Sequence, residues 1–403
     1  MQRTIVHLDA DAFFASVEQA ADLRIRNKPV AVGGGKRGII ASASYEARRM
    51  GVYTPMPVTR ALRLCPDLIL LPGDFEKYER FSRWMFSHVQ DFTPDLEIGS
   101  IDEGYFDLTR VHRPPVEIAK AIVDAIHQSL KISVSIGIGG SKLVSQIASK
   151  LRKPGGFVQV PAGEETRFLH PLASRWLPGV GVKTAARFDA AGLKRIGEVA
   201  VAPIDFLASL VGKYAFQLKN FANGMDDRPL IFTPEAAQSY SQQETFETDV
   251  DDRKFLEAAL CRMADALMAT VRRDGKSIRT LTVKVRYTDM TEDQRAESLW
   301  EPTNLETDVY PRLGSLLQQA WKRRGRLRLV GLKFSNVHDG HFCAELPLEP
   351  RGQQRETRRR LTAAVDQVRR TYGFHAIMRE HDLRNDPRSQ QALEEKHGDS
   401  LVG

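Results

Sequence analysis

The chain has 403 residues, of which 42% are hydrophobic and 27% are charged, a composition typical of soluble globular proteins with two or three domains. No stretch of about 18 uncharged apolar residues occurs, which excludes a membrane-spanning helix, and the N-terminus lacks the apolar run of a secretory signal. Three scattered cysteines exclude a disulfide framework and favour a cytoplasmic protein, while a net charge of +7 only hints at a polyanionic partner.

The first 160 residues alternate short apolar strands with helical patterns, which predicts an α+β or α/β core. The run Thr4–Leu8 is rich in β-branched residues and predicts a buried strand that ends in acids before a helix begins. Residues 96–108 predict a β-hairpin with Asp102 and Glu103 at its tip. Residues 132–138 predict a further strand, followed by a helix that ends near Arg152.

Acidic residues stand at two of these strand ends, at Asp9 and at Asp102-Glu103. If the two strands are neighbours in one sheet, three carboxylates meet there and repel each other unless a cation neutralises them. Oxygen ligands without His or Cys select Mg²⁺ or Mn²⁺, and a pair of such ions serves in-line displacement at phosphorus. The alternative is that these acids are solvated turn residues, which is the commoner role of such residues taken singly.

Side chains that could hold a triphosphate occur in the same part of the sequence. Tyr45 and Arg48 are three residues apart and would share one helix face. Lys153 follows the helix that comes after strand 132–138. Arginine suits a bidentate grip on phosphate, and lysine supplies a point charge. Taken alone, Arg48 and Lys153 would be ordinary surface cations.

A Pro-Gly-Val-Gly turn within a helical region, residues 166–230, predicts a helix-hairpin-helix. Because glycine lets the backbone approach closely, amides at the start of the second helix can bind a phosphate. Such contacts position a nucleic acid without reading its bases. A plain connection between two helices is the alternative. The residues assigned to this contact are Pro178, Gly179, Gly181, Lys183 and Thr184.

Cations concentrate in the last folded segment, beyond a predicted linker at 231–241. Strands are predicted at Ile278–Tyr287 and Leu327–Phe334, and eleven Lys and Arg residues fall in the stretches 272–286 and 322–328 with one acid among them. Lys284 and Arg286 alternate along a strand and would share a face that tracks phosphates, unless that face is simply a solvated outer surface. The DNA-contact candidates here are Lys284, Arg286, Arg326 and Arg328.

Five motifs resemble, in order and spacing, those of Y-family DNA polymerases of the bacterial DNA polymerase IV-like branch, over about residues 3–340. They are DADAFFASVE (9–18), SYEAR (44–48), SIDEGY (100–105), GIG…K (137–142) with KPGG (153–156), and LPGVG (177–181). The resemblance implies an α+β multidomain, right-hand fold. Its parts would be a ferredoxin-like palm (1–19 and 74–165), small fingers (20–73), a helix-hairpin-helix thumb (166–230), the linker (231–241) and an α/β little finger (242–340).

The resemblance also implies roles for individual residues. Asp9, Asp102 and Glu103 would be catalytic and would hold two Mg²⁺ ions, which Mn²⁺ could replace, with the backbone carbonyl of Ala10 completing one shell. Asp11 would be structural rather than a ligand. Phe14 would be the steric gate, an aromatic ring that blocks a ribose 2′-hydroxyl. The remaining nucleotide contacts would be Phe13, Ser42, Tyr45, Arg48 and Lys153.

The function that the resemblance implies is template-directed addition of dNTPs to a primer 3′-hydroxyl, with low fidelity, in translesion synthesis. The protein would be a monomer of the bacterial cytosol or nucleoid that binds primer–template DNA. A nucleotidyl cyclase shares the acid-bearing palm, but it would need neither a helix-hairpin-helix nor a second basic domain. A catalytically weak family member that serves as a DNA-binding accessory protein would not need three intact acids.

The tail, residues 341–403, is polar. Leu361, Val365, Val368 and Tyr372 recur at helical spacing and predict one amphipathic helix, and the last 20 residues have the composition of a disordered end. Relatives often carry a Gln-Leu-X-Leu-Phe peptide for a sliding clamp after the little finger. Here the corresponding residues are Glu345-Leu346-Pro347-Leu348-Glu349, with acids in place of the glutamine and the aromatic residue, so we do not expect clamp binding through this peptide.

Overall fold

The computed structural model describes residues 3–35, 37–233, 235–323, 325–340, 350–373, 376–379 and 381. The chain divides into two units, Met1–Pro234 and Glu235–Gly403. Both units combine helices with β-sheets, which confirms the predicted α+β class. Within the described ranges, no helix has both the length and the apolar character needed to cross a membrane.

The first unit begins with the alternation of strands and helices that the sequence predicts and ends with helices. In chain order it contains β1 (Ile5–Ala10), α1 (Phe13–Ala21), β2 (Val30–Gly33), β3 (Ile40–Ala43), α2 (Tyr45–Arg49), α3 (Val58–Leu64), β4 (Ile69–Leu71), α4 (Phe75–Gln90), β5 (Leu96–Ile98), β6 (Glu103–Asp107), α5 (Pro115–Leu130), β7 (Val134–Gly139), α6 (Lys142–Leu151), β8 (Phe157–Gln159), α7 (Glu165–Leu169), α8 (Val182–Ala190), α9 (Ile196–Val201), α10 (Ile204–Val211) and α11 (Ala215–Ala222).

A five-stranded sheet of order β5-β6-β1-β7-β8 forms the centre of this unit. Strand β1 is antiparallel to both of its neighbours, and all six of its residues are buried, as its apolar sequence requires. Helices α4 and α5 contribute to the apolar core that includes Val6 and Leu8. Helix α6 lies very close to β7: a Cβ added to Gly137 would be 2.0 Å from the carbonyl oxygen of Ser145. Glycine at 137 therefore sets the distance between this helix and the sheet.

A smaller sheet of order β3-β2-β4 lies between α1 and α4 in the sequence. Strands β2 and β3 are antiparallel, whereas β2 and β4 are parallel. The side chain of Ser44 caps α2 by accepting the amide N–H of Ala47 at 3.3 Å. This cap fixes the start of the short helix that carries Tyr45 and Arg48.

The second unit is built on a four-stranded antiparallel sheet of order β11-β10-β12-β9. Two helices, α12 and α13, share an apolar core with one face of the sheet, and no described helix of this unit contributes to a core on the other face. Its elements in chain order are β9 (Ser239–Val250), α12 (Arg253–Arg273), β10 (Lys276–Tyr287), β11 (Glu292–Thr303), α13 (Glu306–Ala320), β12 (Leu327–Asp339) and α14 (Pro350–Tyr372).

The sequence predicted β10 and β12 but neither β9 nor β11. Both missed strands are edge strands, and most of their residues are polar. Their pairing rests on backbone hydrogen bonds, so their side chains carry little of the apolar alternation that marks a strand. The predicted linker at 231–241 is correspondingly shorter, because β9 begins at Ser239.

Helix α14 forms where the tail was predicted to be helical, but its contacts differ from the expected apolar face. Leu361 is 65% exposed and Tyr372 is 77% exposed, whereas Thr362 and Arg369 are buried. The helix is anchored by polar contacts, including two hydrogen bonds from Arg272 to Asp366 of 2.6 and 2.9 Å. The altered clamp peptide at 345–349 and the last 20 residues lie outside the described residues.

Candidate active site

A cavity of about 420 Å³ opens beside the ends of β1 and β6. It brings together residues that are far apart in the sequence, including most of those predicted to bind metal or nucleotide. Tyr45 does not line the cavity, but its ring contacts Arg48, which does line it. The lining residues are Asp9, Ala10, Ala12, Phe13, Phe14, Ala41, Ser42, Arg48, Thr54, Ser100, Asp102, Glu103, Lys150 and Lys153.

The two acidic sites meet because β1 and β6 are neighbours. Asp9 and Glu103 are paired across the two strands, the arrangement that a shared sheet would produce. Asp102 lies in the turn before β6, where its backbone oxygen accepts the N–H of Ala10 at 2.9 Å. The hydroxyl of Ser100 donates to the Asp102 carboxylate at 2.5 Å and holds that side chain within the turn.

Two lysines from the α6 region contact these acids. The Lys150 Nζ lies 2.9 Å from Oε2 of Glu103 and 3.9 Å from Oδ2 of Asp9. Lys153 donates to Oδ1 of Asp9 and lies 3.4 Å from the carbonyl oxygen of Ala10. Lys153 was predicted from the sequence as a site residue, but Lys150 was not. A lysine near the end of a helix usually is an exposed cation, so nothing in the sequence singled out Lys150.

Burial controls the ionisation of Asp9. It raises the pKa of Asp9 to about 6, and the charges of Lys153 and Lys150 only partly oppose this effect. Burial also pushes the pKa of Glu103 upward, but the hydrogen bond and charge of Lys150 outweigh it and leave that pKa below its ordinary value. The two ammonium groups therefore do not fully offset the cost of burying the Asp9 carboxylate.

The donor atoms at this edge fit a hard divalent cation. They are carboxylate oxygens of Asp9, Asp102 and Glu103 and the carbonyl oxygen of Ala10, without histidine or cysteine in the cavity lining. Within the described part of the chain, no three His, Cys, Asp or Glu side chains form a ready metal-binding cluster. A cation site is thus indicated by the chemistry of the donor atoms and the raised pKa of Asp9. It is not indicated by a complete set of ligands already in place.

Asp11 has a different role from Asp9. Its carboxylate is buried and accepts the hydroxyls of Ser133 and Ser135 at 2.8 and 2.9 Å and the N–H of Gly155 at 2.8 Å. Three hydrogen bonds use most of its acceptor capacity, in line with the structural role expected from the sequence. They also tie β1 to β7 and to the segment that follows Lys153.

Three of the candidate triphosphate residues, Ser42, Arg48 and Lys153, line the cavity. The Arg48 guanidinium carbon lies 4.7 Å from the centre of the Tyr45 ring. Among the described residues, the buried Tyr45 hydroxyl has no hydrogen-bond partner. Burial raises the pKa of Tyr45 to about 12, so the phenol is a donor at neutral pH. A buried donor without an acceptor is costly, and a phosphate oxygen is a suitable acceptor.

An aromatic cluster holds Phe14 in the wall of the cavity. The Phe14 ring stacks on Tyr78 with centroids 4.5 Å apart and an interplanar angle of 22°. Tyr78 is fully buried and donates to Oε1 of Glu18 at 2.7 Å. Phe13 also lines the cavity but is almost entirely buried in the core. The sequence did not predict Tyr78, since it comes from α4, which is distant from Phe14 along the chain.

The predicted helix-hairpin-helix residues form a tight turn before α8. Gly179 has φ +83°, and a Cβ there would be 2.5 Å from the Tyr214 ring, so this position requires glycine. Gly181 is the N-cap of α8, and nothing lies within 4 Å of the place where its Cβ would be. Lys183 is exposed, while Pro178 and Thr184 are half-buried. An open helix N-terminus of this kind can accept a phosphate.

The cationic face of the four-stranded sheet is less positive than its sequence suggested. Lys284 and Arg286 do share a face, but both contact Glu292 of the unpredicted strand β11, at 2.7 and 2.5 Å. Arg326 contacts Asp251 at 3.2 Å, and Arg328 is half-buried in β12. Counting acids only within the basic stretches thus overestimated the charge, because paired strands bring acids from elsewhere.

Two family models match this chain. The model of the impB/mucB/samB family matches residues 8–150, and the model of the impB/mucB/samB family C-terminal domain matches residues 237–346. The DNA polymerase IV of Opitutus terrae is 46% identical over 389 residues, which cover 95% of this chain and 98% of that protein. The DNA polymerase IV of Dehalococcoides mccartyi strain CBDB1 is 37% identical, with 93% and 96% covered.

Solved structures share the fold. A Y-family DNA polymerase chimera, Dbh-Dpo4(243-245)-Dbh, superposes with a TM-score of 0.77 at 24% identity and covers 84% of this chain and 100% of its own. An insertion ternary complex of Dbh DNA polymerase gives a TM-score of 0.58 at the same identity and coverage.

Proposed function

The chain belongs to the impB/mucB/samB family, the Y-family DNA polymerases of the DNA polymerase IV type, and on this premise we propose how its residues carry out low-fidelity, template-directed DNA synthesis. Its relatives and the presence of the three acids support this polymerase over a nucleotidyl cyclase and over a DNA-binding accessory protein. The substrates are a primer–template DNA and a dNTP, and the reaction joins the primer 3′-hydroxyl to the α-phosphorus.

One observation carries the assignment of the site: Asp9 and Glu103 face each other across β1 and β6, with Asp102 in the adjoining turn of the same cavity. These three carboxylates and the Ala10 carbonyl would hold two Mg²⁺ ions, or Mn²⁺ in their place. When bound, the ions would supply Lewis acidity toward the primer hydroxyl and the leaving pyrophosphate. Asp9 is the residue most in need of that charge, because burial raises its pKa to about 6.

A second set of residues in the cavity wall would take the triphosphate. Arg48 supplies a guanidinium, Tyr45 a buried hydroxyl that lacks an acceptor among the described residues, and Lys153 an ammonium next to Asp9. Ser42 lines the same wall, although its hydroxyl already accepts the N–H of Ala15 at 3.3 Å. These donors would orient the α-phosphorus toward the primer and stabilise the charge that develops on pyrophosphate.

Phe14 would be the steric gate. Its ring cannot easily turn aside, because it stacks on Tyr78, which Glu18 holds in turn. A fixed ring under the sugar would reject the extra 2′-hydroxyl of a ribonucleotide by overlap rather than by a lost hydrogen bond. Phe13, buried beside it, would support the floor of the nucleotide pocket.

Outside the cavity, two surfaces would hold DNA by its backbone. The turn at 178–181 with Lys183 and Thr184 would place helix amides on a phosphate, and Lys284, Arg286, Arg326 and Arg328 would track the duplex. We further propose that the protein acts as a monomer in the bacterial cytosol or nucleoid. Clamp binding through residues 345–349 is not part of the proposal, because acids replace the two residues that such a peptide needs.

The direct test is extension of a labelled primer by the full chain and by an Asp102→Ala variant, with Mg²⁺ and with Mn²⁺. We expect the wild type to add template-directed dNTPs on undamaged and damaged templates. The variant should lose at least about 10³-fold in rate, since several kcal/mol of transition-state stabilisation depend on the ions. Its affinity for primer–template DNA, measured by fluorescence anisotropy, should remain. Full activity of the variant would exclude the proposed site.

A further inference from the structure

A second cleft, of about 550 Å³, lies in the unit that contains the four-stranded sheet. Its walls are the last turns of α12, the residues just before α13, and α14. Six arginines and two acids belong to its lining, and Glu306 and Asp265 pair with two of these arginines from outside it, so cations still exceed acids by two. The lining residues are Arg272, Arg273, Arg359, Arg360, Arg369 and Arg370, with Glu356 and Asp366.

The two acids are already committed to arginines. Asp366 accepts two hydrogen bonds from Arg272, at 2.6 and 2.9 Å, and the same guanidinium donates to Glu306 at 2.6 Å and to the carbonyl oxygen of Asn304 at 2.8 Å. Glu356 lies 3.1 Å from Arg360 and 3.6 Å from Arg359. Arg272 and Arg369 are largely used by such contacts, since Arg369 donates twice to the carbonyl oxygen of Ile377. Donor capacity remains at the rim of the cleft, on Arg273, Arg359, Arg360 and Arg370, because an arginine has five N–H groups.

Two rim arginines are especially available. The Arg273 side chain is 70% exposed and has one long contact, 3.4 Å, to Asp274. Arg370 is exposed and, within the part of the chain that the structure describes, pairs with no carboxylate. Both side chains belong to the lining, and neither joins one helix of the cleft to another. Each can therefore reach a ligand without breaking a structural contact.

The cations of this cleft are all arginines. Helix α14 as a whole contains seven Arg and no Lys. The planar guanidinium fork matches phosphate oxygens in pairs, which a lysine ammonium does not. Arg359-Arg360 and Arg369-Arg370 are separated by ten positions, about 15 Å along a helix at 1.5 Å per residue. That length suits several successive phosphates of a strand better than one free phosphate.

Two features of the cleft favour a single strand over a duplex. The Arg272–Asp366 pair joins α12 to α14 directly, so an ion pair connects the two walls. Tyr372, which is 77% exposed, lies at the end of α14 and offers a ring on which an unpaired base can stack. The cleft is on the helix-covered side of the unit, away from the open sheet face that carries Lys284.

We propose that this arginine cleft binds single-stranded DNA through its phosphates, as a site separate from the open face of the sheet. Helix α14 begins at Pro350, beyond residue 346, where the match to the family's C-terminal domain ends. That helix therefore adds one wall to a cleft whose other wall, with Arg272 and Arg273, lies within the matched residues 237–346. The cleft shares no lining residue with the cavity that contains Asp9, so DNA synthesis as proposed above does not depend on it. An unpaired strand held there would stay close to the enzyme between binding events.

The test compares the full chain with an Arg273→Gln/Arg370→Gln double variant. Fluorescence anisotropy measures binding of a labelled oligothymidylate and of a labelled blunt DNA duplex over a range of KCl concentrations. For the oligothymidylate, we expect the double variant to bind about 5- to 10-fold more weakly at low salt. The slope of log K against log salt should fall by about 1.4, because two phosphate contacts are lost and each contributes about 0.7 for single strands. Affinity for the duplex should stay within about twofold.

A matched control is Lys284→Gln/Arg286→Gln on the open sheet face, which should weaken the duplex more than the oligothymidylate. An Arg359→Gln/Arg360→Gln variant probes the other end of the cleft and should reproduce the loss on single strands. Unchanged oligothymidylate binding in both cleft variants would overturn the proposal, and so would an equal loss on both DNAs. Displacement of the oligonucleotide by polyglutamate as readily as by unlabelled oligothymidylate would also overturn it and would assign the cleft to an acidic peptide.

Discussion

Asp9 and Glu292 are each held between two basic side chains, yet their pKa values move in opposite directions. Asp9, between Lys150 and Lys153, is buried, and burial raises its pKa to about 6. Glu292, between Lys284 and Arg286, is open to water, and hydrogen bonds from both cations lower its pKa. Two flanking cations thus leave the charged form of Asp9 destabilised, whereas they stabilise the charged form of Glu292.

This difference shows what burial adds to composition. Water screens the charges on the sheet face, so each contributes little and can be exchanged for a phosphate contact. In the active-site cavity the surroundings are less polarisable, so each charge has a large effect and an added divalent cation is strongly favoured. We therefore expect charge substitutions in the cavity to act on the reaction and those on the sheet face to act on DNA affinity alone.

The largest effect is expected for Asp9→Asn, which removes the charge while keeping the shape. Primer extension should fall by about 10³-fold or more, because the buried ligand of the ions is lost. The matched variant Glu292→Gln should extend primers at a rate within about twofold of the wild type at saturating DNA. Similar losses in the two variants would remove the distinction between the two sites.

Phe14→Ala changes the shape of the cavity without changing its charge. Opening the space beside the sugar should reduce discrimination against ribonucleotides by about 10²-fold, the scale on which one pocket contact selects between close analogues. The ratio of kcat/KM for a dNTP and the matching rNTP measures this. Mn²⁺ binding should be the same as in the wild type, since no charge changes. An unaltered dNTP/rNTP ratio would refute the gate.

Lys150→Met tests whether the lysines of the cavity compete with the metal. Removing an ammonium 2.9 Å from Glu103 should tighten Mn²⁺ binding by about tenfold, because one repulsive charge is lost in a partly buried site. Electron paramagnetic resonance of free Mn²⁺ measures this without DNA or turnover. Lys284→Met, on the sheet face, is the control and should leave Mn²⁺ affinity unchanged. Weaker Mn²⁺ binding to Lys150→Met would instead make Lys150 a support for the ligands.

The smallest effect is expected on the sheet face. Glu292→Gln frees Lys284 and Arg286 for phosphates, so affinity for primer–template DNA should rise by about threefold at low salt and return to the wild-type value at high salt. Anisotropy at several KCl concentrations checks both parts. A fall in affinity would mean that Glu292 positions the two cations for DNA rather than occupying them.

The sequence was sufficient to predict that the acids meet where two strands of one sheet end, because each acidic site adjoins an apolar run that indicates a strand. Asp9 and Glu103 could be placed together as soon as β1 and β6 were taken as neighbours. Lys150 and Tyr78 could not be predicted in this way. Each is an ordinary residue of an amphipathic helix, and only the packing of α6 and α4 on the sheet brings it to the cavity.

The second unit was harder to predict for the opposite reason. Its edge strands β9 and β11 owe their place to backbone pairing, and their polar side chains look like loop. Missing β11 hid Glu292 and made the cationic face seem unopposed. The tail helix was predicted from an apolar stripe, but ion pairs such as Arg272–Asp366 hold it, and no pattern within the helix itself reveals a partner from α12.

Gly137 fixes how closely α6 can approach the sheet beside the active-site acids. With the carbonyl oxygen of Ser145 only 2.0 Å from where a Cβ would be, the gap between α6 and β7 has no room for a side chain. The lysines that contact Asp9 and Glu103 come from that helix and the turn after it, while Asp9 sits on the strand next to β7. A single methyl group at position 137 would act as a wedge and displace both cations from both acids together.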